Sequence, residues 1–139
     1  MKKVMVFGAF DGLHPGHIDF FKQAKRFGDY LIVSVGTDEN VAKIKDKKPL
    51  FNQAERLELV SNISIVDKAV LGAKRDFYQE IKKYNPQVIC LGYDQWVTEK
   101  DVNGGLASVG LPKTQVIRLK PHKEQRAKST IIKKKSVDF

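Results

Sequence analysis

Cysteine is almost absent from this chain of 139 residues: Cys90 is the only one, which excludes a disulfide scaffold and a thiolate metal cage. It lies in the apolar run Val88-Ile89-Cys90-Leu91, where a buried small hydrophobe is the expected role. Long hydrophobic runs are missing as well. Val4 to Phe7 and Val88 to Leu91 fall far below the roughly 18 residues that a membrane-spanning helix needs. The run after Lys2-Lys3 meets Gly8 and Asp11 before it could form the apolar stretch of a secretory signal, so no membrane segment and a cytoplasmic protein are expected. Acidic residues are scarce: 16 Asp and Glu face 25 Lys and Arg, for a net charge of +9. The surplus is C-terminal, because residues 113–139 hold nine Lys or Arg against two acids. Such a cluster favours an anionic partner, whether nucleic acid, a membrane surface or a phosphorylated small molecule. Lys133-Lys134-Lys135 also has a plainer reading, as a solvated helix end opposing the helix dipole.

What remains is the composition of an ordinary globular protein, 42% hydrophobic and 29% charged, with room for one domain, residues 1–139, ending in a basic helix or tail over 129–139. Short apolar runs alternate with stretches of helical spacing. The pattern predicts strands at Val4 to Phe7, Leu31 to Val35 (apolar except Ser34), Lys68 to Leu71, Val88 to Leu91 and Val116 to Leu119. Helices are expected from the turn at 8–16 to Phe27, around Val41 to Ile44 after Thr37-Asp38-Glu39, over Asn52 to Asn62 with Asn52 and Glu55 as a capping box, and over Phe77 to Tyr84. Residues 43–49 and 92–101 read as loops, and Ser129 as the cap of a last helix. The fold class expected is α/β: a single Rossmann-like, doubly wound, five-stranded parallel sheet flanked by helices, with its ligand crevice beyond the carboxyl ends of the strands.

The exit of the first strand reads Gly8-Ala9-Phe10-Asp11-Gly12-Leu13-His14-Pro15-Gly16-His17, and two of the three histidines fall in it. Pro15 suits the first turn of a helix, which would place His14 and His17 beside unpaired backbone N–H groups. That is an anion site. Gly8 permits close backbone approach, and Gly16 leaves space beside the helix entrance. Two histidines so close suggest metal or phosphate; a metal site lacks a third ligand at useful spacing, so no protein-held metal is expected.

Gly-x-Phe-Asp-x-x-His-x-Gly-His closely resembles the signature of the cytidylyltransferase-like nucleotidyltransferases, which join a nucleotide to a phosphorylated acceptor and release pyrophosphate. The resemblance continues through Ala24-Lys25-x-x-Gly28-Asp29, Asp38, Lys43-x-Lys45, Glu55-Arg56, Val66-Asp67, Leu91-Gly92-x-Asp94 and Ser129-Thr130-Ile131-Ile132. It implies a catalytic set of His14, His17 and Lys45. It implies nucleotide contacts from Gly8, Ala9, Phe10, Gly16, Lys43, Gly92, Asp94, Gln95, Ser129 and Thr130, and acceptor contacts from Asp11, Arg56, Tyr93 and Trp96. Asp11 has two further readings, ordering the histidine turn or helping to hold the Mg²⁺ that accompanies the triphosphate. The sequence departs from the family at Ala9, where many relatives carry threonine, and upstream of Ser129, where the arginine-containing motif of the glycerol-phosphate enzymes is not matched.

Within the superfamily, Phe10-Asp11-Gly12, Leu71-Gly72 and Leu91-Gly92-Tyr93-Asp94-Gln95 look most like the small archaeal-type FAD synthases. That resemblance implies ATP and FMN as substrates, with FMN adenylyl transfer as the reaction and flat contacts to the flavin from Tyr93, Trp96 or Phe51. The alternative is a glycerol-3-phosphate cytidylyltransferase using CTP. A reading of another class, a basic nucleic-acid-binding module, leaves the histidine turn unexplained and lacks interleaved aromatics in the tail. Relatives of this kind are commonly homodimers.

Overall fold

Val4 to Phe7 and Val88 to Leu91 are apolar at every position, so both faces of their sheet need cover. The computed structural model describes residues 1–45 and 48–122, with the side chains of 44 and 45 left aside. In it ten elements follow in the order β1 (Lys3–Gly8), α1 (Pro15–Lys25), β2 (Tyr30–Val35), α2 (Asp38–Lys45), α3 (Gln53–Ser61), β3 (Lys68–Leu71), α4 (Phe77–Tyr84), β4 (Val88–Leu91), α5 (Glu99–Ser108) and β5 (Gln115–Arg118). All strand pairs are parallel, in the order β3-β2-β1-β4-β5. The expected helix from Ser129 and the tail 129–139 lie outside the described residues.

Alternation along each strand sorts the core into two layers. Val4 and Val6 of β1, with Leu31 and Val33 of β2, pack beneath Phe21 and Ala24 of α1 and Val60 of α3. Met5, Phe7, Ile32 and Ile89 face the other way, against Ile81 of α4 and Val102 and Leu106 of α5. The connections after β1 and β2 lead outward to one edge. The next returns past β1 to β4, so the winding reverses between β1 and β4, and a doubly wound sheet opens its crevice at such a reversal.

Several boundaries differ from those read from the sequence: β1 and β2 gain flanking residues, and α2 runs to Lys45, into the loop expected over 43–49. Helix α1 stops at Lys25, which leaves Phe27 outside it and 37% exposed. Strand β5 is shifted one residue toward the N-terminus, Gln115–Arg118. The expected loop over 92–101 gives way at Thr98, whose side chain caps α5 by accepting from the N–H of Asp101.

Candidate active site

Beyond β1 the chain must turn sharply into α1, and two positive φ angles do it: Phe10 at 52° and Gly12 at 81°. Gly12 meets that demand without a side chain, whereas the left-handed backbone at Phe10 costs on the order of 1 kcal/mol or more. Packing holds it there. The Phe10 ring is buried beneath His17, edge-on at 5.6 Å, and against Phe21 at 5.2 Å. Phe10 therefore supports the histidine from below.

His14 is the N-cap of α1 and Pro15 its first residue. The Nδ1 of His14 accepts from the N–H of Gly16 at 3.1 Å, and the Nδ1 of His17 accepts from the N–H of His14 at 3.2 Å. This is a capping box in which two imidazoles take the usual places of Ser or Thr and Glu. Because each Nδ1 is an acceptor, each neutral ring carries its proton on Nε2 and presents a donor there. The rings lie 3.9 Å apart, so the two donors sit together at the positive end of a helix. Among the described residues no three His, Cys, Asp or Glu side chains gather as a metal site.

Asp11 orders the turn. Its carboxylate accepts from the N–H of Leu50 at 2.6 Å and of Phe51 at 2.9 Å, tying the segment before α3 to the histidine loop. Both oxygens serve this ordering role.

Arg56 has a different place from the acceptor contact expected. It is fully buried, and its guanidinium donates to the carbonyls of Phe51, Ala9 and Gly36 and to Asp38 Oδ1, at 2.8–3.0 Å. One side chain thus joins the exits of β1 and β2 to the starts of α2 and α3. A solvated phosphate contact would need the fork exposed; here four of its five N–H donors are spent on the protein.

The Gly92–Gln95 turn is fixed from within. Gln95 is buried; its Oε1 accepts from the N–H of Gly92 at 2.7 Å and its Nε2 donates to the Phe7 carbonyl at 3.0 Å, so this side chain stitches β4 to β1 across the reversal. Arg118, which sequence reasoning passed over, donates to the carbonyls of Gly92, Gln95 and Val97 and to Glu99 Oε1. That hydrogen bond holds the Glu99 carboxyl below its ordinary value. A lone Arg ending an apolar strand was the available signal. Tyr93 is half-buried and Asp94 exposed; burial and then the charge of Asp94 raise the Tyr93 hydroxyl. Trp96 is 75% exposed.

Two clefts open at the carboxyl end of the sheet. One, about 500 Å³, is lined by Leu13, His14, Asp19, Lys22 and His122; the third histidine thus comes to the capping box, with its Nδ1 buried and unpaired among the described residues. The other, about 390 Å³, lies over α4 and reaches Gly8, Gly36, Lys43 and Trp96. Lys43 is exposed on α2 with Glu39 at 3.5 Å, on this cleft rather than among the residues that line the histidine cleft. The Lys45 side chain, Ser129 and Thr130 lie outside the described residues.

A histidine pair at a helix N-terminus sits beside the reversal of this parallel sheet, and the chain is a nucleotidyltransferase: it belongs to the cytidylyltransferase-like family, whose model matches residues 5–135. Its relatives narrow the class. An FAD synthase of Archaeoglobus profundus is 41% identical over 99% of this chain and 88% of its own length, and one of Methanosarcina barkeri 42% identical over 89% and 87%. A crystal structure described as the lipopolysaccharide core biosynthesis protein from Thermoplasma volcanium superposes with a TM-score of 0.83 at 35% identity, covering 88% of this chain and 99% of that one. Among the described residues no helix is long and apolar enough to cross a membrane.

Proposed function

We propose that the chain is an FMN adenylyltransferase, which makes FAD and pyrophosphate from ATP and FMN. The observation that carries this reading is the double-histidine capping box, together with archaeal FAD synthase relatives that match almost the whole chain.

A phosphate oxygen of FMN attacks the α-phosphorus of ATP in line. The new P–O bond forms as the bond to the bridging α–β oxygen breaks, and pyrophosphate leaves with that electron pair. The Nε2–H groups of His14 and His17 donate to the non-bridging and bridging oxygens, where charge grows, and the N-terminus of α1 adds its dipole. Because Nδ1 of each ring is already bonded to backbone, both donors are oriented before substrate arrives, so little reorganisation is needed at the moment of reaction. Gly8, Ala9 and Gly16 contribute backbone beside the phosphates. Gly92 and Asp94 border the nucleotide, and Tyr93 and Trp96 the acceptor. Lys45, with Ser129 and Thr130, supplies a further cation and hydroxyls to the triphosphate. Mg²⁺ would be held by the triphosphate's own oxygens and would offset their charge. A homodimer is the assembly proposed, to be read by sedimentation.

Incubation of the protein with ATP or CTP, each paired with FMN or glycerol 3-phosphate in the presence of Mg²⁺, should release pyrophosphate rapidly only with ATP and FMN. Release with CTP and glycerol 3-phosphate instead would replace this reading by the cytidylyltransferase one.

A further inference from the structure

Strand β2 is apolar except for Ser34, which is buried. Its hydroxyl donates to Oε1 of Glu80 on α4 at 2.9 Å, and the N–H of Ala73 also donates to that carboxylate. Ser34, Ala73 and Glu80 all line the 390 Å³ cleft, whose other walls are mostly apolar and aromatic: Phe7, Phe77, Tyr78, Leu91, Trp96 and Val97. Phe77 is 40% exposed and Trp96 75% exposed, an arrangement that leaves aromatic area for a flat ligand to cover.

A carboxylate among apolar walls is costly unless hydrogen-bonded. Two donors reach Glu80, and a carboxylate has about four acceptor positions, so capacity remains for an N–H of a ligand. The cleft thus asks for a planar molecule that is apolar over its faces and carries an N–H donor on one edge. Gly8 lines the same cleft, and from Gly8 the chain runs directly into the histidine turn, so a phosphate tethered to the planar group leads toward the imidazoles.

We propose that this cleft holds the isoalloxazine ring of FMN, with Phe77 and Trp96 against the ring and Glu80 accepting a hydrogen bond from its N3–H. This inference rests on the FMN adenylyltransferase reading. Oxidised isoalloxazine has one ring N–H, at N3, on the edge opposite its dimethylbenzene end, which is the pattern the cleft requires. Glu80 is then a specificity residue for the acceptor.

The test is a comparison of FMN with N3-methyl-FMN, using wild type, Glu80→Ala and Trp96→Ala. Wild type should prefer FMN by at least about tenfold in kcat/KM, the scale of a hydrogen bond to a charged group. Glu80→Ala should use both flavins alike. Trp96→Ala, at an exposed position that leaves the fold intact, should raise the KM for FMN about tenfold, leave the KM for ATP unchanged and quench flavin fluorescence less on binding. Equal use of the two flavins by wild type would overturn the Glu80 contact, and a Trp96→Ala variant that shifts the KM for ATP alone would place adenine in the cleft instead. Both results leave FAD synthesis standing. Failure of wild type to form FAD from either flavin overturns the functional reading and the cleft assignment with it.

Discussion

In the proposed reaction His14 and His17 each divide their two nitrogens between structure and chemistry. Asparagine can imitate the first task, because its side-chain oxygen caps a helix as well as any residue, but it cannot supply the Nε2–H at the same place. His14→Asn should therefore melt close to wild type yet lose roughly 10²–10³ in kcat. His14→Ala should lose the same activity and about 1 kcal/mol of stability as well. Thermal melts beside turnover measurements separate the two tasks; full kcat in the asparagine variant would reduce His14 to a cap. Glu80 presents the converse case. Burial raises its carboxyl above the ordinary value, against the opposing hydrogen bonds from Ser34 and Ala73 and the charge of Lys83. A raised carboxyl contributes fully below its unfolded value, and that contribution is lost as pH rises through the folded value, so at neutral pH the ionised group is a net cost. Glu80→Gln should accordingly raise Tm at pH 7, with the gain vanishing below about pH 4. A variant that melts lower at pH 7 would make Glu80 a structural anchor.

Among the elements, α5 was the one the sequence concealed. Asn103, Gly104 and Gly105 sit in its middle, and glycine costs a helix ~1 kcal/mol per residue, which masks the start signal Thr98-x-x-Asp101. Packing explains the glycine: a Cβ at Gly105 would lie 2.0 Å from the Tyr78 ring, and only a bare backbone lets α5 approach α4. The other strands and helices were legible because caps and apolar runs mark them locally; Asn52 and Glu55, for instance, form the capping box read from their spacing. The β4–α5 connection depends instead on Arg118, whose fork spans three carbonyls and Glu99. Arg118→Ala should loosen residues 92–97 and raise the KM for the nucleotide several-fold while leaving the strands intact. Glu99 gives a second readout. Its carboxyl is lowered by Arg118, so its contribution is present above the ordinary carboxylate value and lost as pH falls through the lowered one. Acid unfolding followed between about pH 5 and pH 3 should be shallower in the variant. An unchanged acid limb and an unchanged KM would mean that the loop holds its shape without Arg118.

At the scale of the molecule, contiguous features were readable and convergent ones were not. The histidine turn spans ten successive residues and declared itself. The aromatic cleft joins Ser34 to Glu80 across 46 positions, and the buried station of Arg56 appears only when the exits of two strands are brought together. Cys90 kept its plain role: burial alone pushes its thiol up to about 12, so it is unreactive in the folded chain. Arg56 sets the behaviour of the whole. Arg56→Lys, unable to fork, should cost ~3–5 kcal/mol, as breaking a buried charged network does, measured by denaturant titration; a loss under ~1 kcal/mol would show that the junction stands without it.

A cationic rivet shared by the backbones at Ala9, Gly36 and Phe51 has a further outcome on heating. The turn that carries the histidines cannot come apart ahead of the sheet beneath it, so loss of turnover and loss of ellipticity should share one midpoint. Inactivation several degrees before the melt would mean that the rivet gives way first.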